Sequence, residues 1–90
     1  MKLVVLLQAV PGRAAALASY EDKVLAILEA RYGGKVLQRL TVMGEGPTEV
    51  QVLELPGEAA LTEFMADPER LALADERDGC VARTELFRAH

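Results

Sequence analysis

The sequence predicts one α+β domain with the element order β-α-β-β-α-β: a four-stranded antiparallel sheet carrying two helices on one face. Three observations predict it. Short apolar runs alternate with segments of helical periodicity in that order. Pro11-Gly12, Gly33-Gly34 and Pro56-Gly57 punctuate the chain where one type of segment gives way to the next. Ninety residues make a single domain, able to bury roughly 60 to 65% of the surface its unfolded chain exposes. With two right-handed crossovers, the first and third strands come to the middle of the sheet and both helices to the same side.

Leu3 to Val10 is apolar on both parities, as expected of a central strand covered twice. Pro11 and Gly12 end it. The first helix is expected to start at Ser19, an N-cap with Asp22 placed for a capping box, and to turn Tyr20, Val24, Ile27 and Leu28 inward. Gly33 and Gly34 stop it, in the left-handed conformation that glycine adopts cheaply. Lys35 to Met43 reads as a strand, Gly44 to Pro47 as a turn in which Gly44 and Gly46 serve the bend, and Glu49 to Leu55 as the paired strand. The second helix is predicted in two pieces: Glu58 to Ala66 with Leu61, Phe64 and Met65 on one side, then a restart at Asp67-Pro68 that runs to Gly79. Cys80 to Arg88 supplies a more charged last strand at the edge.

The two middle strands are expected to offer Val and Leu to both faces, while the helices cover only one. The other face would then be an apolar patch larger than a monomer tolerates. Burying such side chains is worth roughly 1.5–3 kcal/mol each. A homodimer packed sheet against sheet is the natural resolution.

Charge excludes some partners. Up to Met43 the chain has six Lys and Arg against three Asp and Glu, and from Gly44 onward four against eleven. Neither half has the basic stripe with interleaved aromatics that nucleic acid requires. No apolar run is long enough to span a bilayer, so no membrane partner is expected. The opening residues have the outline of a secretory signal, but the apolar run is short, Arg13 interrupts it, and cleavage would remove the most apolar strand. The single cysteine, Cys80, forms no intramolecular disulfide and suits a reducing cytoplasm.

Arg31-Tyr32-Gly33-Gly34-Lys35, followed by Leu37 and Arg39, resembles the helix-to-strand junction of small members of the dimeric α/β-barrel superfamily. Val52-Leu53-Glu54-Leu55-Pro56-Gly57, followed by an Ala-containing helix and Asp67-Pro68-Glu69, resembles the same proteins, so the likeness runs from about Ser19 to Leu73. It implies two ferredoxin-like subunits packing their sheets into a barrel. Some members of that superfamily are cofactor-independent monooxygenases, isomerases or dehydratases acting on small organic molecules held between sheet and helices, and many have no assigned activity. The resemblance singles out Arg39 and Glu54, one charged position in each hairpin strand, as candidate catalytic residues. In that reading Arg39 holds an anionic or carbonyl oxygen and Glu54 acts as base or hydrogen-bond acceptor. The plainer alternative is a cross-strand ion pair that only helps pairing. The chain departs from the pattern in two places: Leu40 and Thr41 stand where a Gly pair often follows the arginine, and Arg70 stands where an aromatic usually follows the Pro-Glu.

The remaining candidates are weaker. His90 is the only histidine and the last residue, and one Cys with one terminal His makes no metal site. Cys80 has no candidate base near it in sequence but Glu85 or Arg83 and reads as a buried structural thiol. Tyr20 and Tyr32 could meet a ligand but more often cover the sheet from such helical positions. No cofactor-binding pattern is present. The central strands lack the exposed aromatics of an RNA-recognition module, and the loop after the first strand lacks both the paired cysteines of a copper chaperone and the phosphate cradle of an acylphosphatase. Two function classes survive: an enzyme binding or transforming a small apolar molecule in a cleft between sheet and helices, and a non-catalytic effector-binding or structural dimerisation module.

Overall fold

The computed structural model describes residues Met1–His90. Its elements are β1 (Lys2–Ala9), α1 (Ala14–Arg31), β2 (Lys35–Thr41), β3 (Glu49–Glu54), α2 (Glu58–Met65), α3 (Pro68–Leu71), α4 (Ala74–Cys80) and β4 (Val81–Ala89). The sheet order is β2-β3-β1-β4 with every neighbouring pair antiparallel. This is the α+β architecture that the order of apolar runs predicts, with β1 and β3 in the middle.

One parity of β1 makes the core. Leu3, Val5, Leu7 and Ala9 are buried beneath Leu17, Tyr20, Val24, Leu25, Ile27 and Leu28 of α1 and Leu61 and Phe64 of α2. The opposite parity, Val4 and Leu6, is only half-buried. In register with it lie Val50 and Val52 of β3, Leu40 of β2 and Phe87 of β4. Leu40 and Phe87 are each about half exposed, at 51% and 50%. An apolar sheet face therefore stands uncovered in the single subunit.

The helices depart from expectation at their ends. Helix α1 begins at Ala14, not Ser19, because Ala14 to Ala18 are strong helix formers and Leu17, 1% exposed, anchors the extra turn in the core. Its start is tied down by Arg13, whose Nε donates to the Gly79 carbonyl at 3.2 Å, in place of a side-chain cap. The second helical region comes in three pieces, not two. Asp67 caps α3 as its sequence predicts, accepting from the Arg70 N–H at 3.0 Å. A tight turn then intervenes, with the Leu73 N–H on the Arg70 carbonyl at 3.1 Å, and it swings Leu73 against the core. Gly79 lies inside α4, which ends at Cys80.

Only the first of the two glycines after α1 is left-handed, Gly33 with φ of +66°. Gly34 is needed for space, since a Cβ there would stand 2.5 Å from Leu28 Cγ. Strand β2 carries a bulge between Val36 and Gln38, opposite Leu53 and Val52. The extra residue reverses the facing of everything after it, which turns Arg39 and Thr41 toward the helices and Leu40 away.

Candidate functional site

The inner face of β3 is polar where the sequence suggests an apolar strand. Its inward residues are Glu49, Gln51 and Leu53, all nearly inaccessible at 5%, 1% and 5% exposure. Buried polar groups need partners, and these find them in Glu21 of α1 and Arg39 of β2. The Gln51 amide Nε2 donates to Glu21 Oε1 at 2.8 Å and to Glu49 Oε2 at 2.7 Å. Arg39 Nε donates to the same Glu49 oxygen at 2.9 Å, while its Nη groups reach Asp22 and the Ala18 carbonyl.

The two buried carboxylates are thus treated differently. Glu49 has a guanidinium beside it as counter-ion, whereas Glu21, 6% exposed, has only a neutral amide. Burial pushes the Glu21 carboxyl above the usual carboxylate range; the Gln51 amide pulls it back in part and the nearby Glu49 charge raises it again. Burial also acts to lower the Arg39 guanidinium, but its hydrogen bonds to Glu49 and Asp22 outweigh that and hold it firmly protonated.

Glu21 opens onto a cavity of about 320 Å³ between the sheet and the helices. Its walls are mainly apolar, with Val5, Leu7 and Leu86 from the sheet, Val24 and Leu25 from α1 and Phe64 from α2. Polar groups converge on it from Tyr20, Glu21, Gln51, Arg70, Arg77 and Thr84. An apolar hollow with a few placed polar groups and a shifted carboxyl is the usual form of a small-molecule site. Burial pushes the Tyr20 phenol up, so it stays a neutral hydrogen-bond donor beside the acid.

The structure separates the two residues that the family resemblance selected. Arg39 stands behind Glu49 and touches the cavity only through Glu49 and Gln51. Glu54 lies on the opposite, open face of the sheet, in register with Lys2 and Lys35. Sequence reasoning missed Glu21 and Gln51, although both left a signal. Glu21 sits four residues after Leu17 and four before Leu25, in the middle of the apolar stripe of α1. Gln51 shares its parity with Leu53, not with the outward pair Val50 and Val52.

Other candidates fall outside the cavity. Cys80 is 1% exposed and burial raises its thiol, the reverse of an activated nucleophile. His90 is exposed at the chain end. Tyr32 donates its hydroxyl to Asp67, which this bond, the Arg70 backbone N–H and Arg31 together hold at about 2. No three His, Cys, Asp or Glu residues gather where they could hold a metal ion, and no helix is long and apolar enough to cross a membrane.

No protein-family model matches the sequence and no curated protein does, so the likeness to known proteins is carried by structure. A Rhodopseudomonas palustris protein of unknown function superposes with a TM-score of 0.75 at 26% identity, covering 98% of this chain and 78% of that one. A DABB-family protein with a ferredoxin-like fold from Mesorhizobium loti gives 0.69 at 16% identity, over 96% of this chain and 90% of its own. The chain has the ferredoxin-like subunit fold of the dimeric α/β-barrel proteins. SnoaB, a cofactor-independent oxygenase from Streptomyces nogalater, shares this dimeric α/β-barrel subunit fold at 18% identity and a TM-score of 0.70, over 99% of this chain and 91% of that one. One scaffold hosts many chemistries, so the dimeric α/β-barrel fold leaves the reaction to be argued from the site.

Proposed function

We propose that the protein is a homodimer that binds a small, largely apolar organic molecule in the cavity between sheet and helices and moves a proton on it through Glu21. The observation that carries this reading is a buried carboxyl with no cationic partner, shifted upward, at the wall of an apolar hollow. A carboxyl tuned toward neutral pH both accepts and returns protons efficiently. As carboxylate it takes a proton from an activated C–H or O–H. Returning that proton to a different carbon of the same molecule is isomerisation, and leaving an electron-rich enolate to meet dioxygen is the opening of a cofactor-free oxygenation.

Gln51 orients Glu21, and Arg39 supports both by neutralising Glu49, which makes Arg39 a positioning residue in this scheme. Glu54, with Lys2 and Lys35 opposite, belongs to the rim of the open face. That face is the dimer interface, because Val4, Leu6, Val50, Val52, Leu40 and Phe87 form one apolar surface with nothing over it. The non-catalytic alternative is favoured by the same open face, which needs no cavity to justify it.

Deuterium wash-in separates the two. Bicyclic ketones such as 2-tetralone, incubated with the protein in D2O, should exchange their α-hydrogens faster than in buffer, and Glu21→Gln should remove roughly 10²- to 10⁴-fold of that acceleration with the dimer intact. Exchange at the same rate with wild type, Glu21→Gln and buffer alone would leave the dimerisation module as the better reading.

A further inference from the structure

Arg70 is a half-buried cation on the cavity wall that no carboxylate neutralises. Its acidic neighbours are engaged elsewhere: Glu69 pairs with Arg31, and Asp67 takes the Tyr32 hydroxyl, Arg31 and the Arg70 backbone N–H. The guanidinium is nevertheless held in place. Nη1 donates to the Met65 carbonyl at 3.2 Å, and Cζ sits 5.3 Å from the centre of the Phe64 ring. Its Nε is buried and has no acceptor in the protein. A fixed arginine on the cavity wall with no carboxylate partner and an unsatisfied N–H carries a positive charge that an anionic oxygen in the cavity would offset.

The rest of the wall agrees with this. Arg77 also lines the cavity, its one contact with a carboxylate being the loose 3.7 Å approach to Asp78. The only acid on the wall is Glu21. Two guanidinium groups therefore face an apolar hollow that contains one carboxyl.

We infer that the cavity takes an organic oxyanion, a molecule whose carboxylate, phenolate or enolate oxygen accepts from Arg70 while its apolar body packs on Val5, Leu86 and Phe64. This rests on the cavity being a binding site, as proposed above, and names the class of molecule it selects. In a proton abstraction the same donor would hold the negative charge that forms on oxygen when Glu21 removes the proton, a role that needs the N–H in place before the charge develops.

The test uses two isosteric probes, 2-naphthoate and 2-naphthamide, titrated into the full chain and followed by backbone amide NMR. Wild type should bind the anion at least 10-fold more tightly. Arg70→Met, which keeps the stem on Phe64, should bring the ratio near one, chiefly by weakening the anion. Arg70→Lys, which keeps the charge and the fold but not the planar donor, should lower the ratio several-fold. A wild-type ratio near one, or a ratio that survives both substitutions, overturns the oxyanion site while leaving the cavity as a binding site. If neither probe shifts the amides of Val5 and Leu86, the cavity reading fails and the oxyanion site fails with it.

Discussion

A lysine in place of Val52 should break the proposed dimer without unfolding the subunit. Val52 lies on central strand β3, between Val4 and Gln38 in register, and its side chain points off the open face. In the monomer the new side chain stands in water, where such substitutions change stability by about 0.5 kcal/mol or less. Between two sheets the ammonium is stripped of water and at pH 7 must shed its proton about 3.4 units below its ordinary pKa. That costs about 4.6 kcal/mol at ~1.36 kcal/mol per unit. A two-fold interface contains the position twice, so the penalty is about 9 kcal/mol, nearly 10⁷ in dissociation constant. Even with much of it relieved by snorkelling, a dimer of nanomolar affinity would dissociate at micromolar concentration. Sedimentation equilibrium reads the mass directly, with circular dichroism to check the fold. At pH 10 the same lysine costs only ~0.5 kcal/mol to neutralise, so the dimer should re-form, which loss by misfolding would not allow. A wild-type monomer at micromolar concentration, or an unchanged dissociation constant for Val52→Lys at pH 7, would refute the reasoning.

Four further outcomes follow from the interior. Burial raises the Glu21 carboxyl above its reference value of 4.5, so the folded chain binds that proton more tightly than the unfolded one. Its stabilising contribution is complete below that reference value and is lost as pH rises through the raised folded value. Glu21→Gln should therefore melt higher than wild type at pH 8 and equally at pH 4, and a melting difference independent of pH would contradict this. Asp67 is held at about 2 against a reference of 3.8, so its charge contributes stability at neutral pH that disappears as pH falls toward 2; Asp67→Asn should flatten acid unfolding between those values, followed by tryptophan-independent far-ultraviolet signal. Arg39→Met strands the buried Glu49 and should cost about 3–5 kcal/mol in urea titrations, most of it restored when Glu49→Gln is added; simple additivity of the two would show that they are not coupled. Gly34→Ala drives a methyl into Leu28 and should cost about 1–3 kcal/mol, less than that when Leu28→Ala has already made room.

The fold was legible because its signals are local and redundant. β1 is apolar on both parities, the glycines after α1 end it, and Asp67-Pro68 restarts a helix where the structure has one. The start of α1 was not, because Ser19 offers a good cap and Ala14 to Ala18 offer good helix; tertiary burial of Leu17 chose the latter. The site was hidden for a different reason. Charged and amide side chains on a helix or strand are ordinarily solvated, so Glu21, Glu49 and Gln51 look like surface until the register shows which parity faces in. That register was itself unreadable, since the bulge in β2 leaves no mark in composition. Arg39 and Glu54 are each one step from a hairpin strand's apolar residues and were indistinguishable in facing, yet lie on opposite sides of the sheet.

The bulge also decides which changes of length β2 can take. Its first half keeps Val36 in phase with Leu53, and its second half keeps Arg39 in phase with Gln51, and the two halves are joined out of step by the extra residue between them. Losing the extra residue would leave a plain strand with the guanidinium still turned inward, because Val36, Gln38, Arg39 and Leu40 already face in, out, in and out. Straightening the bulge with every residue kept is the damaging change. It would turn the far half over like a page, carrying Leu40 into the acid–amide network and the guanidinium out among the open-face valines. A homologue with a β2 one residue shorter can therefore hold the same buried carboxylates on a regular strand, whereas one of equal length must keep the kink.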